Sequence, residues 1–113
     1  MRVVNIHQEP CTHYCGRASS FYKAPDSIDF SILGNPFDMQ KLGITRSECL
    51  KLYEEYLWSR YDNVEPELFN TLKQFHEYDG VVLLGCFCKP KSCHCDTIVE
   101  VYEQFKWDQI LYP

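Results

Sequence analysis

Val81-Val82-Leu83-Leu84-Gly85-Cys86-Phe87-Cys88-Lys89-Pro90-Lys91-Ser92-Cys93-His94-Cys95-Asp96 runs from an unbroken apolar stretch into a cysteine-rich turn. An apolar run without polar alternation is the pattern of a central parallel strand covered on both faces, and it predicts a strand from Val81 to Cys86 or Cys88. Pro90 and Ser92 make the turn. Ile98, Val101, Tyr102 and Phe105 then recur at helical spacing and predict a helix.

Two more helices are predicted upstream. Thr45-Arg46-Ser47-Glu48 fits a capping box, with Thr45 as N-cap and Glu48 reaching back. Leu50, Tyr53, Leu57 and Tyr61 continue at helical spacing, flanked by Cys49, Tyr56 and Trp58, until Asp62-Asn63 ends the helix. The next helix starts at Pro66, a residue suited to a first helical turn, and buries Leu68, Leu72 and Phe75. Gly80 is placed to cap its end. Val3-Val4-Asn5-Ile6 reads as a first strand. Residues 7–37 are irregular; they allow a short strand around Tyr14 to Arg17 and a turn of helix around Ser27 to Leu33. Trp107 to Pro113 reads as a tail, with room for a docked edge strand at Gln109-Ile110-Leu111. The predicted architecture is α/β: one small domain over residues 1–113, with a Rossmann-like sheet and about three helices. In such sheets ligands bind beyond the carboxyl ends of the strands, which points to the Cys86–Cys95 turn.

Composition bounds the function. A hydrophobic fraction of 45% in 113 residues supports a core, and the aromatic fraction is 15%. A net charge of -5 argues against general nucleic-acid binding, which needs a basic footprint. No apolar run approaches the roughly 20 residues of a membrane span. The N-terminus lacks the pattern of a secretory signal, so a cytoplasmic location is expected. Seven cysteines without such a signal suit thiols, metal ligands or reactive groups better than a disulfide framework.

Three readings fit the cysteine-rich turn. In the first, Cys86, Cys88, Cys93 and His94 hold zinc, with Cys95 an alternative to His94; soft thiolates and imidazole suit that metal. The Cys-x-Cys-x4-Cys-His-Cys spacing is not that of ordinary zinc knuckles. In the second, the start of the following helix holds an anion or nucleotide through its N–H groups and dipole. Lys89 and Lys91 add positive charge, and Cys93 or Cys95 becomes a favoured thiolate. Asp96 orients a hydroxyl, acts as a general base or complements the dipole. In the third, Cys86 and Cys88 pack as small hydrophobes.

Val3-Val4-Asn5, Tyr14-Cys15-Gly16-Arg17, Gly34-Asn35-Pro36-Phe37, Thr45-Arg46 with Tyr53 and Leu57-Trp58, and the closing Gly85, Cys86, Cys88, Pro90, Cys93, His94 and Asp96 form a specific combination. Together they resemble a small bacterial and phage family catalogued as domain of unknown function 4326. The likeness runs from Val3 to about Glu100. It implies an α/β fold and a shared site, with no established activity. Two positions depart from the family pattern. Cys95 stands where Gly is usual before Asp96, and Cys15 stands where an aliphatic residue is common. Cys15 and Cys95 thus form a candidate added pair, as thiols or ligands.

Arg17, Gly34, Asn35, Arg46 and His94 are the remaining ligand-binding candidates. Arg presents a planar fork suited to phosphate or carboxylate. Arg46 sits in a first helical turn, where a cation opposes the dipole. Asn35-Pro36 is equally ordinary turn chemistry. The aromatic stripe Tyr53, Tyr56, Trp58 and Tyr61 reads as core or as a face for a homo-oligomer. No Gly-x-Gly-x-x-Gly, Walker loop, His-Glu-x-x-His or nucleophile elbow occurs. The leading expectation is binding of a phosphorylated or nucleotide-like small molecule at the Cys86–Asp96 turn. Cys93 or Asp96 would be the reacting group if the chain is an enzyme. The rivals are a zinc-stabilised interaction module and a non-catalytic phage protein that sequesters a host nucleotide or blocks a host factor.

Overall fold

The computed structural model describes residues 1–16, 28–29, 33–86 and 93–111. Four strands, β1 (Arg2–Asn5), β2 (His13–Tyr14), β3 (Ile28–Asp29) and β4 (Leu83–Cys86), form one sheet in the order β1-β4-β2-β3. Every pairing is parallel. The apolar run therefore occupies a central strand, as its pattern predicts. The strand itself is shorter than the run: Val81 is 67% exposed and only Leu83–Cys86 pairs.

Register explains what meets at the sheet's carboxyl edge. Asn5 pairs with Cys86 and Tyr14 with Gly85. One step further, the Cys15 N–H donates to the Gly85 carbonyl at 3.2 Å and the Ile6 N–H to the Cys86 carbonyl at 3.0 Å. Cys15 and Cys86 thus leave the sheet side by side. Both are essentially fully buried. The β1–β2 connection crosses β4, where Gly85 makes room for it. A Cβ on Gly85 would come within 2.7 Å of the Cys11 Cβ and 2.8 Å of the Ile6 Cγ2. Thr12 stitches the crossing to the strand, since its Oγ1 accepts the Leu83 N–H at 2.8 Å.

Four helices complete the described fold: α1 (Met39–Leu42), α2 (Arg46–Asp62), α3 (Pro66–Glu77) and α4 (His94–Leu111). The predicted capping box at Thr45 is present in both halves. Cys49, Tyr53, Leu57 and Tyr61, each four residues apart, form the buried stripe of α2. α3 begins at Pro66 as expected and buries Leu68, Thr71, Leu72 and Phe75. Tyr53, Leu57, Leu68, Leu72 and Phe75 join Leu84, Cys86, Ile98, Val101 and Phe105 in the core. Arg60 spans the α2–α3 turn as a fork on the Glu65 carboxylate, at 2.5 to 2.9 Å.

Three expectations are corrected, and one element is new. Helix α4 continues to Leu111, so Gln109-Ile110-Leu111 is no edge strand. The residues misled because Trp107, Ile110 and Leu111 are all exposed and break the apolar period. Gly80 is not the cap of α3; the helix ends at Glu77 and Tyr78 caps it, while Gly80 supplies the turn at φ +121°. Ile28–Asp29 is a strand rather than part of a helical turn. The short helix α1, capped by Asp38, had no apolar periodicity to announce it; it has no buried residue.

Candidate metal centre

Three thiols converge at the carboxyl end of β4. Cys86 ends the central strand, and Cys93 and Cys95 flank the first residue of α4. Their sulfurs all lie within 4.8 Å of one another, and all three residues are buried. The six described cysteines are present as thiols. The start of α4 is fixed locally. The Cys93 N–H donates to the Asp96 carboxylate at 3.1 Å, and the Asp96 N–H to the Cys93 carbonyl at 3.0 Å. This is the backward arm of a capping box, with the acid in the first turn complementing the dipole.

Cys15 closes the group from the β2 side. The Cys95 thiol is pushed well above the ordinary cysteine range, first by Cys15, then by Cys86 and Cys93 within hydrogen-bonding reach, with burial adding. Three thiols within 4.8 Å of one another cannot all ionise without a cation among them.

His94 locks this arrangement. Its Nε2 lies 2.6 Å from the Cys15 carbonyl oxygen. A carbonyl only accepts, so Nε2 carries a proton. Nδ1 faces the Cys93 sulfur at 3.6 Å. Burial pulls the His94 pKa down, but the hydrogen bonds and charge of Cys93 and the Cys15 carbonyl outweigh it, and the net direction is up. Tyr53 covers the ring edge-on, with centroids 5.1 Å apart. The buried Tyr53 hydroxyl donates to the Leu33 carbonyl at 2.6 Å. Its pKa is raised well above the ordinary tyrosine range by burial, then by Cys95 and Cys15. Helix α2 thereby floors the thiol cluster.

The sequence pattern of a family described as Domain of unknown function (DUF4326) matches residues 2–104. The chain belongs to that family. No curated protein and no solved structure matches it. Among the family residues singled out from sequence, Cys86, Cys93, His94 and Asp96 meet at one place. Cys88 and Arg17 lie outside the described residues. Asn35 is buried, and its side chain is engaged at both ends: Oδ1 accepts the Phe37 N–H at 2.9 Å and Nδ2 donates to the Cys49 sulfur at 3.3 Å. Gly34 precedes it in that loop, and Cys49 clamps the loop again by donating to the Phe37 carbonyl at 3.3 Å. Arg46 is half-buried in the first turn of α2.

Cys95, expected only as an alternative to His94, is the third sulfur of the close triad. Cys15 is the residue that pattern reading placed least firmly, because its partners are 71 to 80 positions away. Register with β4 is the signal that would have found it. A separate surface cleft of about 390 Å³, lined by Tyr61, Phe69 and Asp108, belongs to the far end of α4. By helical rise it stands roughly 20 Å from His94. Among the described residues, no helix is long and apolar enough to cross a membrane.

Proposed function

We propose that the chain is a metal-stabilised binding module in which Cys86, Cys93 and Cys95 hold a zinc ion. The observation that carries this reading is the convergence of three buried sulfurs within 4.8 Å of one another, from a strand end and a helix start. A tetrahedral zinc site has Zn–S bonds of about 2.3 Å, which sets sulfurs about 3.8 Å apart. A divalent cation also removes the electrostatic objection to ionising clustered thiols. Thiolate softness favours zinc over hard cations. The ion would fasten β4 to α4 across the turn and present the carboxyl edge of the sheet as a rigid face. Retention of thiolate ligands fits a reducing cytoplasm.

The test is elemental analysis of protein purified without added metal, joined to thermal unfolding before and after chelation. About one zinc per chain and a large fall in Tm on chelation are expected. Sub-stoichiometric zinc with an unmoved Tm refutes the reading and leaves the cysteines as packing groups.

A second reading rests on the all-parallel sheet. All four carboxyl ends share one edge, where ligands of open, Rossmann-like α/β sheets bind. A phosphorylated or nucleotide-like small molecule there would meet Gly34, Asn35, Arg46, Arg17 and His94, with Cys93 or Asp96 as a reacting group. The engaged side chains of Asn35 and His94 weigh against this reading. Thermal shift across a nucleotide panel checks it. Stabilisation by a phosphorylated ligand that is abolished in Arg46→Ala supports it, and no shift with any ligand removes it.

A further inference from the structure

We infer that Cys15 supplies the fourth ligand, so that the metal centre is a four-thiolate site joining three chain segments: the exit of β2, the end of β4 and the start of α4. The inference rests on the zinc reading above and specifies its ligand set. Three sulfurs leave one tetrahedral position to fill. Among the described residues, His94 lies against the Cys93 and Cys95 sulfurs at 3.6 and 3.8 Å, and Cys15 lies behind it with its carbonyl on Nε2.

The backbone favours Cys15. Its N–H is bound to the Gly85 carbonyl at 3.2 Å and its carbonyl to His94 Nε2 at 2.6 Å, so its Cα is held from both sides. It leaves the sheet beside Cys86 and is 0% exposed. Its sulfur is not among those within 4.8 Å of one another, but its carbonyl and the Cys95 sulfur both lie against His94 Nε2, at 2.6 and 3.8 Å. One torsion, χ1, is all that separates a fixed Cα from a movable sulfur. The His94 ring has less freedom. It is held at Nε2 by the carbonyl and edge-on by Tyr53. Its place is that of an outer group which orients a ligand: it grips the Cys15 backbone and faces the Cys93 sulfur.

Four thiolates around a divalent cation carry a net charge of -2, one unit more negative than three thiolates and a neutral imidazole. The Nε2–H of His94 and the backbone donors at the start of α4 supply partial positive charge close by. Binding releases the thiol protons to solvent, with no redox change at sulfur or metal.

Zinc X-ray absorption on the full chain tests this. The expected wild-type shell is four sulfurs at about 2.3 Å. Cys15→Ser is expected to show three sulfurs and one lighter atom, with zinc affinity at least about 100-fold weaker. Cys88→Ser, Cys11→Ser and Cys49→Ser are each expected to keep four sulfurs, which leaves Cys15 as the fourth ligand even if Cys15→Ser fails to fold. A wild-type shell of three sulfurs and one nitrogen overturns the inference in favour of His94 and leaves the zinc reading standing. Loss of a sulfur in Cys88→Ser overturns it in favour of Cys88. Absence of zinc from the wild type removes both.

Discussion

His94 Nε2 donates to the backbone carbonyl of Cys15 at 2.6 Å, joining the first turn of α4 to the exit of β2 across 79 positions of sequence. Both residues are buried, so the bond has no ready replacement by water. It makes the helix start answerable to the N-terminal part of the chain. That dependence is absent from any local pattern around Cys93-His94-Cys95.

His94→Phe keeps a ring against Tyr53 but strands the Cys15 carbonyl. An unsatisfied buried acceptor costs about 1–3 kcal/mol. Urea unfolding should show that loss in the midpoint with little change in slope. His94→Gln, which can still donate, should lose less. Equal losses in the two variants would mean that the hydrogen bond contributes nothing beyond ring packing.

Gly85→Ala should destabilise by about 1–3 kcal/mol, the usual cost of forcing a methyl into a close-packed site. The new Cβ would meet the Cys11 side chain and the Ile6 Cγ2, both lying over β4. Cys11→Gly, which removes both the sulfur and the Cβ, should restore part of the loss in the double variant. Full additivity of the two substitutions would show that the crossing segment does not press on the strand.

Thr45→Ala removes the acceptor for the Glu48 N–H and should cost about 1 kcal/mol. The helix itself should persist, since its stripe from Cys49 to Tyr61 is buried. Thermal unfolding followed by far-ultraviolet circular dichroism would measure this. An unchanged Tm would mean that α2 is held by its packing alone.

Alkaline stability should depend on Tyr61. Its hydroxyl donates to the Asp108 carboxylate. Burial, then that bond and its charge, raise its pKa far above the ordinary tyrosine range. A group with a raised folded-state pKa adds stability that is full below its unfolded value, near 10, and is lost as pH climbs from there toward the folded value. Wild type should therefore lose stability above about pH 10 more steeply than Tyr61→Phe. Parallel pH profiles would contradict the assignment.

Much of this fold was legible where local chemistry and packing agree. The Thr45–Glu48 box, the Pro66 helix start and the apolar run of β4 each carry a signal within a few residues. The end of α4 was not legible, because Trp107, Ile110 and Leu111 face solvent and mimic a short strand. The candidate site divides the same way. Cys86, Cys93 and His94 stand out by composition alone. Cys15 does not, because what brings it to them is sheet register set by a strand of two residues. The Cys15 carbonyl and the Cys95 sulfur nevertheless share one neighbour, His94 Nε2.

The strand order has a consequence for how the molecule comes into being. β1 and β2 never pair with each other; among the described strands β1 has no partner until β4, about 80 residues later, and β2 has only the two-residue β3 before then. A chain emerging from the ribosome therefore carries β1 unmatched, and β2 joined only to β3, until residue 86 is free. Such long-separation pairing slows folding and exposes strand edges while it is pending. Helices α2 and α3 can form on the way, but the sheet is completed almost last. Refolding should thus be gated by the arrival of a single strand, and truncation before Cys86 should leave a helical, aggregation-prone remnant in place of a smaller domain.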